Sequence, residues 1–77
     1  MQSKHPDLLA FGIAVRKVRQ AKGLSQEDLA EKADLDRTYI SGIERGLRNP
    51  TLLSSLCIAN ALGVTLDKLV KGIGHGA

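Results

Sequence analysis

The sequence predicts an all-α domain of five short helices around one aliphatic core, and three observations predict it. The first is the stretch from Gln26 to Arg45. Leu29 and Ala33, then Ile40 and Ile43, fall there at i, i+4 and i, i+3 spacing on either side of a turn at Asp34 and Leu35. The second is composition. With one Phe, one Tyr and no Trp in 77 residues, the core must be built from Leu, Ile, Val and Ala, which suits short packed helices better than a sandwich of sheets. The third is punctuation: apolar runs end at Gly23, Gly46 and Gly63, with Asp34 at the remaining corner, and the next opens on Ser, Thr or Asp. Strand-like alternation and internal repeats are both missing from the sequence.

Taken in order, Met1 to Pro6 is polar and reads as a flexible arm. From Asp7, Leu8, Phe11, Val15, Val18 and Lys22 follow helical spacing, while Leu9 and Ile13 form a second apolar edge. Gly23 ends this first helix. Ser25 caps the second, with Asp28 at the capping-box position. Asp34 stands at the corner, where a left-handed residue is often needed and where Asp is tolerated better than most. Asp36 caps the third helix, its carboxylate facing the free amides of Thr38 and Tyr39, and Gly46 closes it. Thr51 caps a fourth helix running to Leu62, with Leu52, Leu56, Ala59 and Leu62 as its buried stripe and Ile58 alongside. Thr65 caps a short fifth helix containing Leu66, Leu69 and Val70, and residues 72–77 read as a flexible tail. One domain, residues 7–71, accounts for the chain. A domain this small buries only roughly 60% of its unfolded surface, so it must pack efficiently or dimerise.

The residues offer little to an enzyme. His5 and His75 fall in the two expected flexible ends, where neither is held against a partner. Cys57 has no Cys or His at ligand spacing, which argues against a metal site and for a small helix filler; a lone cysteine also fits a reducing cytoplasm. Glu27, Asp28 and Glu31 read as a solvated acidic face. The glycine-rich end lacks the strand and helix that a phosphate loop requires. No cofactor, small-molecule ligand or membrane span is expected.

Two short helices crossing at a tight turn form a helix-turn-helix, whose second helix can enter the major groove of DNA. With Ile40 and Ile43 turned inward, Arg37, Thr38, Ser41 and Arg45 point elsewhere. Arg37 carries a planar fork matched to guanine O6 and N7, and Thr38 and Ser41 are short donors able to reach a base edge or a phosphate. Gly42 adds no side chain, which allows the helix backbone to lie close to a groove. Tyr39 offers its hydroxyl, and Arg48 and Asn49 their side chains, to backbone phosphate. Gln26, at the start of the second helix, joins its amide to the free helical N–H groups as a further phosphate contact. The net charge is only +3, but Arg37, Arg45 and Arg48 cluster within one short segment. Glu44, beside Ile43, is expected to be partly buried and paired with Arg19.

Ser25-Gln26-Glu27-Asp28-Leu29-Ala30, Thr38-Tyr39-Ile40-Ser41-Gly42-Ile43-Glu44-Arg45-Gly46, Asn49-Pro50 and Ala59-Asn60-Ala61-Leu62-Gly63-Val64 resemble, in this order, the XRE family of DNA-binding domains, relatives of the lambda-type repressors and Cro. The resemblance spans about residues 9 to 71, and Leu35 to Arg45 is especially similar to the small controller proteins of restriction-modification systems. It implies a lambda-repressor-like five-helix fold that binds a pseudo-palindromic operator on double-stranded DNA as a homodimer, regulating transcription. It further implies that Arg37, Thr38 and Ser41 face bases and that Gln26, Tyr39, Arg45, Arg48 and Asn49 hold backbone. In relatives, dimer contacts lie around the fourth and fifth helices, which places Leu53, Leu66, Leu69 and Val70 at the interface. Asp34 departs from the family's usual glycine or asparagine-like corner. Ser55 departs from a usual leucine, which suggests a fourth-helix stripe running through Leu56 instead. The alternative from another class is a protein-interaction module, antitoxin-like or scaffolding, using an apolar surface on Leu9, Ile13 and Leu53.

Overall fold

The computed structural model describes residues 5–74. Among them are five helices: α1 (Pro6–Ala21), α2 (Gln26–Ala33), α3 (Arg37–Glu44), α4 (Leu52–Leu62) and α5 (Leu66–Val70). No strand occurs among the described residues. Helix α1 packs on α3, α4 and α5, and α2 packs on α3 and α4. The core lies where these contacts meet. Val15, Leu29, Ile40, Ile43, Ile58, Leu62 and Leu69 are all fully buried there, each contributing about 1.5–3 kcal/mol of burial.

Helix α1 begins one residue earlier than the apolar pattern suggests. His5 is its N-cap, with Nδ1 accepting from the Asp7 N–H at 3.1 Å, and Pro6 occupies the first turn, where its missing N–H costs nothing. His5 therefore has a local structural role, while His75 lies outside the described residues. The buried line of α1 is Phe11, Gly12, Val15 and Arg19. Leu8 and Val18 are half-buried beside it, and Lys22 is an exposed C-cap rather than the end of the stripe. Of the second apolar edge, Ile13 is exposed while Leu9 is half-buried over Gly46.

The corner between α2 and α3 is made as the sequence suggests. Asp34 sits at φ 58°, ψ 44°, and the next N–H, of Leu35, returns to the Ala30 carbonyl at 2.9 Å. Leu35 then packs against the core.

Helix α4 corrects the expected stripe. Its buried residues are Ser55, Ile58, Ala59 and Leu62, whereas Leu52 is 71% exposed and Leu56 41%. The helix is turned by one position because Ser55 is small enough to face its neighbours and satisfies its own hydroxyl, which donates to the Thr51 carbonyl at 2.9 Å. Beyond α5, Ile73 packs on the core and its N–H donates to the Val70 carbonyl at 3.0 Å. The tail expected from residue 72 is thus docked at its second residue; residues 75–77 lie outside the described ones. Among the described residues no helix is long and apolar enough to cross a membrane.

Two of the helix caps carry a pH dependence. Asp28 is held below the ordinary aspartate pKa by the Ser25 backbone N–H and then by its hydroxyl. Asp36 is lowered chiefly by the Thr38 hydroxyl and then by the Thr38 N–H. A carboxylate whose folded pKa is depressed stabilises the fold fully above its unfolded value near ~4, and that contribution is lost as the pH falls through the folded value. Melting temperatures should therefore drop on acidification below about pH 4, and the Asp28→Asn/Asp36→Asn variant should show a shallower drop, since Asn caps a helix without titrating. An identical acid profile in the variant would remove these two groups from the explanation.

Candidate nucleic-acid interface

Helix α3 has two unlike sides. Ile40, Gly42, Ile43 and Glu44 are buried, Arg37, Thr38 and Arg45 are exposed, and Tyr39 and Ser41 are half-buried. Arg37, Thr38 and Ser41 follow one another along an outer strip. Asp36 organises the start of that strip by accepting from the Thr38 N–H at 2.8 Å and from the Thr38 hydroxyl. In this arrangement the hydroxyl's own proton is committed, so Thr38 meets a ligand as an acceptor unless Asp36 releases it.

The inward side is fixed by a polar cluster. Arg19 Nε donates to Glu44 Oε2 at 2.7 Å and its terminal nitrogen to Oε1 at 2.9 Å, a bidentate pair whose side chains are 10% and 2% exposed. The other terminal nitrogen of Arg19 reaches the Leu24 carbonyl at 2.8 Å. The hydrogen bond to Glu44 raises the Arg19 pKa above its ordinary value, against the opposing effect of burial. Gln26 Nε2 also donates to Glu44 Oε1, at 3.1 Å. One carboxylate thereby ties α1, the start of α2 and the end of α3 together. Arg19, Ser25, Gln26, Glu27 and Arg37 line an open groove of about 490 Å³ beside it.

Close approach of α1 and α3 depends on Gly12. A Cβ there would come within 2.6 Å of the Glu44 carbonyl oxygen and collide with that of Ile43. Sequence reasoning missed this residue. Its signal was an isolated glycine inside a helical pattern, which costs about 1 kcal/mol relative to alanine and so calls for a packing reason.

Gly42 also differs from the expectation. The space its missing side chain leaves is filled from within the protein: a Cβ would strike Arg48 Cγ and lie 3.5 Å from Arg48 Nε. The Arg48 guanidinium carbon stands 5.8 Å from the centroid of the Tyr39 ring. The Tyr39 hydroxyl donates to Ser54 Oγ in the first turn of α4 at 3.4 Å. Asn49 is exposed in the same loop.

The four residues expected at a subunit interface separate. Leu53 is 71% exposed, Val70 37%, and Leu66 is half-buried. Leu69 is 1% exposed and belongs to the core, because α5 rests on α1 and α4 through that side chain. It is withdrawn from the interface set. Cys57 is a half-buried free thiol, and among the described residues no group of His, Cys, Asp and Glu is placed to hold a metal.

Comparison with known proteins places this geometry. A family model described as helix-turn-helix matches residues 15–69. Control protein C.MunI of Mycoplasma sp is 46% identical over 66 residues, covering 84% of this chain and 89% of that protein. The crystal structure of the restriction-modification controller protein C.AhdI from Aeromonas hydrophila superposes with a TM-score of 0.83 at 48% identity, over 84% of this chain and 98% of that one. The structure of C.Esp1396I bound to a 19 base pair DNA duplex gives a TM-score of 0.76 at 48% identity, over 79% and 81%. Matched over residues 15–69 by that family model and over most of its length by these relatives, the chain belongs to the XRE-type helix-turn-helix family.

Proposed function

We propose that this protein is a transcriptional regulator that binds operator DNA sequence-specifically through α3, acting as a homodimer in the setting of a restriction-modification system. The observation that carries this reading is the two-sided α3. Its back is fixed by Ile40, Ile43 and Glu44, and its front presents Arg37, Thr38 and Ser41. A relative of the same fold, C.Esp1396I, is solved on a DNA duplex. In this reading Arg37 reads a base, and Thr38 and Ser41 contact bases or the nearest phosphates. Gln26, Tyr39, Arg45, Arg48 and Asn49 hold the backbone. The α4–α5 surface bearing Leu53, Leu66 and Val70 joins two copies, which sets the recognition helices about 34 Å apart along the duplex. The protein then works in the cytoplasm, where its operator is.

Selection of bound sequences from a random DNA pool, with affinity measured across a salt series, tests this. Recovery of a two-fold symmetric site supports it, whereas equal affinity for all sequences at low salt counts against it. Arg37→Ala should relax preference at one base position per half-site and cost ~1–3 kcal/mol on the specific sequence. Unchanged discrimination would remove Arg37 from the reading set.

A further inference from the structure

Between α3 and the loop that follows it, three features meet at Gly42. Gly42 is a mid-helix glycine whose empty side-chain position holds the aliphatic stem of Arg48. The Gly42 carbonyl accepts from the Leu47 N–H at 2.9 Å, which folds the loop back over that position. The Arg48 guanidinium is then carried over the face of Tyr39, whose hydroxyl reaches Ser54. Ser54 is in turn fixed at the start of α4, its N–H donating to Thr51 Oγ1 at 3.0 Å and its own oxygen accepting from that hydroxyl.

We infer that Arg48 is a positioning residue for Tyr39, and that Gly42 is the seat that lets it act. Seated on Gly42, the Arg48 stem crosses α3 and presents its charge to the ring, so the ring is clamped between the loop and α4 before any DNA arrives. A helical glycine carries an entropic cost, and here that cost gives the stem its close contact with the helix backbone. An alanine would leave every charge of the protein in place and favour the helix, yet it would lift Arg48 off the backbone. Arg48 is exposed and its stem can swing away, so the fold survives the change. Tyr39, one of the expected DNA contacts, would lose its fixed orientation. The inference rests on the proposed DNA-binding role and adds how one contact of that site is held ready.

The chain has one tyrosine and no tryptophan, so its near-ultraviolet tyrosine circular dichroism reports this ring alone. In the free protein, Gly42→Ala and Arg48→Ala should both weaken that band while leaving the helical far-ultraviolet signal intact. Arg48→Met, which keeps a stem on Gly42 and a polarisable group near the ring, should retain it. Against the selected operator, Gly42→Ala should lose roughly three- to tenfold in affinity with an unchanged salt slope. In a Tyr39→Leu background the same change should cost nothing further, because its effect passes through the ring. Equal fold-losses in both backgrounds, or a tyrosine band indifferent to Gly42→Ala and Arg48→Ala, would overturn the inference alone. Should Gly42→Ala fail to fold, the tyrosine band of free Arg48→Ala against free Arg48→Met decides the inference, a band unchanged in Arg48→Ala overturning it, because the DNA affinity of Arg48→Ala also carries the loss of its own charge. A wild-type protein that binds no DNA would overturn the functional reading and this inference with it.

Discussion

Glu44→Ala should destabilise the fold by roughly 3–5 kcal/mol, the cost of leaving a buried charge without its partner. Total stability for 77 residues is about 4–12 kcal/mol, so the variant is expected to be marginal or unfolded at 37 °C. The loss is large because Glu44 accepts from two segments at once, Arg19 of α1 and Gln26 of α2. Its removal strands an Arg19 side chain that is only 10% exposed. Arg19→Ala should be at least as damaging, since it leaves a Glu44 carboxylate that is 2% exposed with only the neutral Gln26 amide as donor. Urea denaturation of the two variants decides the matter. A loss below about 1 kcal/mol in Glu44→Ala would show that the pair is no more than a surface ion pair in energetic terms.

Leu69→Glu should fail to fold, while Leu53→Glu should fold normally and shift the protein toward monomer. The two leucines look alike in sequence, each one of several apolar residues in a helix of the C-terminal half. Leu69 is 1% exposed, and a carboxylate at that place loses its hydration with no cation to replace it, a penalty of several kcal/mol that rivals the whole stability of the domain. Leu53, 71% exposed, has nothing to lose within the monomer. Far-ultraviolet circular dichroism separates folded from unfolded, and sedimentation equilibrium reads the assembly state. A dimer of undiminished strength in Leu53→Glu would move the proposed interface off this part of α4. A folded Leu69→Glu would contradict the core described above.

Much of this was legible before any coordinates, and the residues show why. Helix ends were readable because their signals are local. Ser25 and Asp28 form the expected reciprocal cap, Asp36 caps α3, and Gly63 closes α4 at φ 72°. The crossing of α2 and α3 was readable because Leu29, Ala33, Ile40 and Ile43 leave one geometry in which all four are covered. The face of α4 was not. Leu52, Leu53, Leu56, Cys57, Ile58, Ala59, Ala61 and Leu62 make that helix apolar on nearly every side, so periodicity chooses no stripe. The outcome turned on Ser55, a polar residue that buries cheaply because its hydroxyl finds a carbonyl one turn back. In the site, the composition of α3 announced which residues point outward. It did not announce that Gln26 would donate one of its two amide hydrogens to Glu44, because a side chain at a helix start has both a solvent-facing and an inward-facing reach. Glycines were ambiguous in the same way. Gly12 and Gly42 each promise a close approach, but only the fold says that the visitors are the α3 carbonyls and the stem of Arg48.

The contact at Gly12 has a consequence for how α3 accepts substitution. Helices α1 and α3 meet there backbone against backbone, with no side chain between them whose size an ordinary mutation can trim or enlarge. Helix α1 thus serves as a mechanical datum, a surface from which the depth of α3 is measured. Arg37, Thr38 and Ser41 lie on the opposite side of α3 and take no part in setting that depth. Side chains on that outer face can therefore be exchanged one at a time, each new one being delivered to the same place relative to the rest of the molecule.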